Sequence, residues 1–214
     1  LDPIILSNYS IADLDIPHNP NRSGRNLMIM AGNMQSFHGV GECIEAVSRI
    51  REHYPDATLT LVGRVREDLN DRIGGSGRDE FITTTGFLPY RAMYERLNKG
   101  VAGLLVFQPT YYNISIGLPN KLFDYMLLGL PVIASDLPEI RNVVARADCG
   151  ILVDPGSVSE IVDAIAYLFD FPEEAQKMGE NGRQAVLERY NWSAMEADLL
   201  QAYRNLDGSP SSTA

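Results

Sequence analysis

Cysteine is scarce in this 214-residue chain, with only Cys43 and Cys149, far apart and each in an apolar context. That excludes a disulfide framework or a thiolate metal cluster, and both are expected to be reduced core residues. Histidine is scarce too: His18, His38 and His53 are scattered, and no pair has the spacing of a helix-borne metal site. No metal or cofactor is expected. No run approaches the roughly 18 apolar residues of a membrane-spanning helix. No charged-then-apolar leader precedes a small-residue cleavage site. The expected location is the cytoplasm, with peripheral contact to the inner membrane face through a domain outside this sequence. Basic charge is also in deficit, 18 Lys and Arg against 28 Asp and Glu, for a net charge of -10. A nucleic-acid partner is therefore not expected, because such binding needs clustered cations. A small phosphate-bearing ligand needs only two or three local donors and is compatible with that balance.

What is present is ordinary for a globular chain: 45% hydrophobic and 21% charged residues, enough for one sizeable core. Short apolar runs alternate with longer helical periods, the signature of repeated strand-helix units. Strands are predicted at 27–31, 58–62, 81–85, 103–107, 132–135 and 150–153, and helices at 42–53, 91–98, 119–128, 138–145, 157–169, 172–189 and 192–206. The expected fold is α/β, a Rossmann-like three-layer α/β/α domain with a six-stranded, mostly parallel sheet. Residues 1–25, with three prolines, read as an interdomain linker, 26–190 as the domain, 191–206 as a C-terminal helix that packs on a missing domain, and 207–214 as a flexible tail. A start at Leu1 rather than methionine fits a portion of a longer protein. The glycine-rich stretch 74–77 follows an acidic, helix-like segment rather than a strand, and is expected to be a surface loop.

In a parallel α/β sheet ligands bind where the strands end, so the loops after the strands carry the chemistry. After the first strand, Gly32-Asn33-Met34-Gln35-Ser36-Phe37-His38-Gly39 brings two glycines that let the backbone approach an anion beside the next helix. After the fourth, a long polar and aromatic loop, Gln108 to Gly117, leads into Leu118-Pro119-Asn120-Lys121-Leu122-Phe123-Asp124-Tyr125. The amides of Asn120, Lys121 and Leu122 at that helix start are expected to be unpartnered and able to hold a phosphate oxygen. Lys121 adds charge, and Asp124, one turn on, can accept from two vicinal hydroxyls such as those of a ribose. The alternative is a solvated Lys121–Asp124 pair on an exposed helix face.

These motifs give the chain a family resemblance. From about residue 26 to 206 it resembles the C-terminal, nucleotide-sugar-binding domain of retaining GT-B glycosyltransferases of family four, the glycosyl transferases group 1. The matching pieces run in order: the Gly32 loop with the EAVSRI helix, LTLVG, GFLPY, PNKLFDYMLLGLPVIASD, CGILVDPGS and Tyr190-Asn191-Trp192-Ser193. The central block most resembles the Pro-x-Lys-x-x-Glu-Tyr subgroup found in bacterial surface-polysaccharide synthesis, with Asp124 where that subgroup has Glu.

The resemblance implies that Asp124 contacts a ribose and that Lys121, with His38 when protonated, supports the diphosphate. The family's cationic places in the first loop are filled here by Asn33 and His38. The first acid of the family's paired-acid motif falls at Ile116, leaving Tyr112, Asn113 and Ser115 as substitutes. Phe87 and Leu88 would read the base through their main chain, with Arg64 nearby; a core plug is the other reading of Phe87. The implied substrate is a nucleotide-diphosphate sugar, a UDP-sugar ahead of a GDP-sugar. The implied reaction is metal-independent transfer to a glycan or lipid-linked acceptor held by the absent N-terminal domain. The alternatives are a sugar-nucleotide epimerase of GT-B architecture and a non-catalytic nucleotide- or partner-binding module.

Overall fold

A computed structural model describes residues 18–69, 73–74 and 80–206. Six strands form one sheet: β1 (Asn26–Met34), β2 (Thr58–Val65), β3 (Ile82–Thr84), β4 (Ala102–Leu105), β5 (Val132–Ser135) and β6 (Gly150–Val153). Their order is β3-β2-β1-β4-β5-β6 and every pairing is parallel. Central strands of such a sheet are covered on both faces, so they need continuous apolar runs rather than alternation. Accordingly β4 (AGLL) and β5 (VIAS) are buried at all four positions.

The helices are α1 (Val40–Ile50), α2 (Tyr90–Leu97), α3 (Tyr112–Ser115), α4 (Asn120–Leu127), α5 (Pro138–Ala147), α6 (Val158–Asp170), α7 (Pro172–Glu188) and α8 (Trp192–Leu206). Two apolar layers result. On one face α1 and α6 pack over Leu27, Ile29, Leu59 and Leu104; on the other α2, α4 and α5 pack over Met28, Val62, Leu105 and Val132. Helix α7 starts against the first layer at Ala175 and ends against the second at Ala185 and Val186. Cys43 and Cys149 are buried and unbridged, as expected.

The order places β1 beside β4. The chain leaves β1 through α1 on one face and β4 through α4 on the other, so the loops diverge and open a crevice at the strand ends. Two contacts brace its walls. The Gln108 amide donates to the Phe37 carbonyl at 2.8 Å. Gly39, at φ 67°, starts α1 against β4, and a Cβ there would lie 2.0 Å from the Val106 carbonyl oxygen.

Helix α4 is short, and its carbonyl end is tied down from two directions. Arg22 donates to the carbonyls of Leu128 and Gly129, and to Asn98 and Gly100 beyond the end of α2. Arg183 of α7 donates to the carbonyl of Leu127. Gly179 allows the approach of α7, since a Cβ there would meet the Gly129 carbonyl oxygen at 2.2 Å. Residues 18–25, expected as linker, thus deliver a side chain that belongs to the domain. Burial lowers the Arg22 pKa to about 10, which leaves it charged at neutral pH. Residues 75–77 of the glycine-rich stretch lie outside the described residues.

Replacing Arg22 by Met keeps most of the side-chain volume and removes every donor. Several helix-end carbonyls lose their partner, so urea denaturation should show a loss of about 2–4 kcal/mol relative to wild type.

Candidate functional site

The crevice is built from the ends of β1, β2 and β4 and the start of α4. Strand β1 continues past an irregularity between Met30 and Asn33, so that Asn33 pairs with Arg64 and Met34 with Val65. Gly63 bridges Gly86 in the opposite sense, bringing the Arg64 and Phe87 segments together. The structure therefore aligns Phe87, Arg64 and Asn33 along one rim. Gly32, Asn33 and Arg64 are exposed. Phe87 is 69% exposed, which excludes the core-plug reading, whereas Leu88 is half-buried against the second apolar layer.

On the other rim, Pro119 is the N-cap of α4, so the helix begins one residue later than predicted. The expectation for Leu122 needs correction. Its amide donates to the Pro119 carbonyl at 3.0 Å and its side chain is fully buried, because the first turn closes on the cap residue. Asn120 and Lys121 are the residues whose amides open the helix. Gly117 approaches the Asn113 carbonyl so closely that a Cβ would lie 2.4 Å from its oxygen. This folds the preceding loop back, and within it Tyr112–Ser115 form the single helical turn α3, where a loop is predicted. Leu118 packs against the second apolar layer. Tyr111, Tyr112 (79% exposed), Asn113 and Ile116 stay at the surface.

His38 and Lys121, far apart in sequence, meet across the crevice. The His38 ring stacks on Phe37 at 4.3 Å and sits edge-on to Phe107 at 5.1 Å. The Lys121 ammonium lies 5.7 Å from the Phe107 ring centroid. His38 is 6% exposed, and its Nδ1 accepts the Gln35 amide at 3.0 Å. Burial, then the nearby Lys121 charge, lowers its pKa to about 4, against a smaller opposing effect of the Gln35 carbonyl. The expectation that protonated His38 adds charge is therefore corrected: at neutral pH the ring is neutral, with its proton on Nε2. Lys121 is itself half-buried. Desolvation lowers its pKa and Asp124 opposes that shift.

Asp124 is not on an exposed face. It is 8% exposed, and the phenol of Tyr94 donates to its Oδ1 at 2.5 Å. Tyr90 stands edge-on to Tyr94, with the two hydroxyls 2.7 Å apart. The solvated-pair reading is excluded by this burial. Neither tyrosine stands out in the sequence as a site residue, Tyr90 entering only as the end of the GFLPY block, because the contact joins α2 to α4 and has no local signature. Beyond the crevice, Asp136 pairs with Arg141 of α5, and Glu139 is an exposed acid in the first turn of that helix. Among the described residues no group of three or more His, Cys, Asp or Glu is arranged to hold a metal, and no helix is long and apolar enough to cross a membrane.

A doubly wound parallel sheet with a polar crevice at its switch point defines a Rossmann-like α/β domain of the kind found in GT-B glycosyltransferases. The sequence model described as "Glycosyl transferases group 1" matches residues 13–185, and the chain belongs to that family. It is 27% identical over 184 residues to alpha-D-kanosaminyltransferase of Streptomyces kanamyceticus, an alignment covering 85% of this chain and 46% of that protein. Its fold is similar to that of the C-terminal domain of the group 1 glycosyl transferase LpcC from Francisella tularensis, with TM-score 0.66, 20% identity and coverage of 79% of this chain and 88% of that one. It is also similar to Anabaena HepE in complex with UDP, with TM-score 0.72, 15% identity and coverage of 85% of this chain and 49% of that one. The chain spans about half the length of the curated relatives it matches.

A histidine held near pKa 4 in the folded state and 6.5 when unfolded costs nothing above pH 6.5, where both states are neutral. Below that the unfolded chain binds the extra proton, so stability falls from pH 6.5 toward pH 4. Urea denaturation between pH 7 and 5 should show this decline, and His38→Asn should flatten it.

Proposed function

We propose that this chain is the donor-binding part of a retaining, metal-independent glycosyltransferase, which holds the nucleoside diphosphate of a sugar nucleotide in the β1/β4 crevice. The observation that carries the reading is the opening of α4 at that switch point, with Lys121 and the buried Asp124 one turn apart on it. The amides of Asn120 and Lys121 and the Lys121 ammonium would receive the diphosphate, with Arg64 beside Asn33 as a second cation within the rim. Asp124 would accept from the ribose, and the main chain of Phe87 and Leu88 would line the base. Gly32 and Gly39 would admit the phosphates to the first loop, and Gly117 and Leu118 would set the approach to α4. Tyr112 and Asn113, beside Ile116, would face the sugar.

As the glycosidic bond to the donor breaks, negative charge gathers on the departing diphosphate. Fixed donors that meet this charge supply the largest catalytic contribution. Lys121 is suited to that part because its ammonium is already partly stripped of water. His38 enters as a neutral Nε2–H donor rather than as a cation. The kanosaminyl and phosphatidyl-myo-inositol mannosyl transfers named for relatives support a sugar-nucleotide donor, and the UDP complex of a fold neighbour supports uridine diphosphate. The acceptor, a glycan or lipid-linked saccharide of bacterial surface polysaccharide, would be held by the rest of the enzyme. Helix α8, with Trp192, Leu200 and Tyr203 exposed, would pack on that part.

Calorimetric titration of the chain with uridine, guanosine and adenosine diphosphates tests the reading. Uridine diphosphate should bind best and no sugar should be transferred by the chain alone. Lys121→Ala should weaken binding at least about tenfold, since a charge-assisted contact is lost. Absence of binding by all three, or unchanged affinity in the variant, would overturn it.

A further inference from the structure

We propose that Tyr94, backed by Tyr90, is a positioning residue that fixes the Asp124 carboxylate for ribose recognition and so sets the preference for ribose over deoxyribose. The inference rests on the donor-site reading above. Tyr94 has one phenolic proton, and it is given to Asp124 Oδ1. In the 2.7 Å contact with Tyr90 it can therefore only accept, which makes Tyr90 the donor. The hydroxyls form a one-way chain, Tyr90 to Tyr94 to Asp124, that runs from a half-exposed phenol to a buried carboxylate.

Each link in such a chain polarises the next, strengthening the terminal bond in surroundings of low dielectric. Burial and the Asp124 charge together push the Tyr94 pKa far up, so its proton stays in place across the working range of pH. The Tyr94 bond takes one acceptor position on Oδ1 and restricts the rotation of the carboxylate, whose two oxygens together offer about four. The ring of Tyr94, 1% exposed, fixes the donor itself. A carboxylate oriented before the ligand arrives loses less freedom on binding. That gain is confined to hydroxyls that meet the carboxylate and does not extend to the diphosphate.

The test is binding of uridine and guanosine diphosphates, each in ribose, 2′-deoxy and 3′-deoxy forms, to the 214-residue chain. Wild type should bind a ribose form about tenfold more tightly than one deoxy form, as expected for a hydroxyl donated to a carboxylate. Tyr94→Phe, which keeps the ring, should narrow that ratio to under about threefold while the deoxy forms bind nearly as in wild type. Tyr90→Phe, a change at the surface that serves even if Tyr94→Phe does not fold, should give an intermediate ratio. A full ratio in both tyrosine variants alongside a lost ratio in Asp124→Asn would overturn the positioning role and leave Asp124 as the ribose contact. No ratio in wild type, or no binding at all, would overturn the ribose role of Asp124 and this inference with it.

Discussion

Everything at the crevice depends on one eight-residue helix being held by its carbonyl end. A helix of that length is unstable by itself, since nucleation costs more than so few internal bonds return. Its terminal carbonyls are buried, and each would carry a penalty of about 1–3 kcal/mol if unpaired. Arg183 takes the carbonyl of Leu127 and Arg22 takes those of Leu128 and Gly129. Two cations at the negative end of α4 also favour its dipole. With the far end fixed, the amide end faces the switch point by geometry, without depending on the residues that line the crevice. Those residues can then be chosen for chemistry.

Much of this was legible in the sequence, and the parts that were not share a cause. Strands β5 and β6 fall on their predicted bounds because Pro131 and Gly150 punctuate short apolar runs. Strand β1 runs on to Met34 because Asn33 and Met34 find partners in Arg64 and Val65, a pairing that no local pattern carries. Helix α3 was missed because one turn of Tyr, Asn, Ile and Ser has no apolar period, and its shape comes from the close pass of Gly117 over Asn113. Position in the fold singled out Lys121 and Asp124, and the structure places both in the first turns of α4. Their surroundings came from elsewhere: Tyr94 from α2, Arg22 from the segment ahead of β1, and Phe107 from the end of β4. Burial of a charged side chain is a tertiary property, and linear spacing alone suggested a solvated pair.

His38 shows why the local charge balance departs from residue counting. A histidine and a lysine beside one crevice suggest two cations, but His38 is buried and Lys121 half-buried, so each is partly stripped of water. Removing water disfavours each charge, and each charge disfavours the other. The group with the higher intrinsic pKa keeps its proton: Lys121 stays the cation, and its field is the second cause, after burial, of His38 being held near pKa 4. The imidazole is then free to serve a structural purpose, accepting the Gln35 amide and packing between Phe37 and Phe107.

The same reasoning shows how a chain with net charge -10 would accommodate a polyanion at the proposed donor site. At physiological salt, exposed charges more than about 8 Å away are screened, so the acidic surface is weakly felt inside the crevice. Close donors act through surroundings of low dielectric and are felt strongly. A diphosphate arriving at the proposed site would also shift the balance in its own favour. Its charge would raise the pKa of Lys121, countering the desolvation that lowers it, and would raise that of His38 as well. A ring starting near pKa 4 has to climb some three units before a proton is held at neutral pH. In the proposed donor site, Lys121 and the helix amides would therefore carry the electrostatic attraction, and His38 would contribute direction through a neutral N–H.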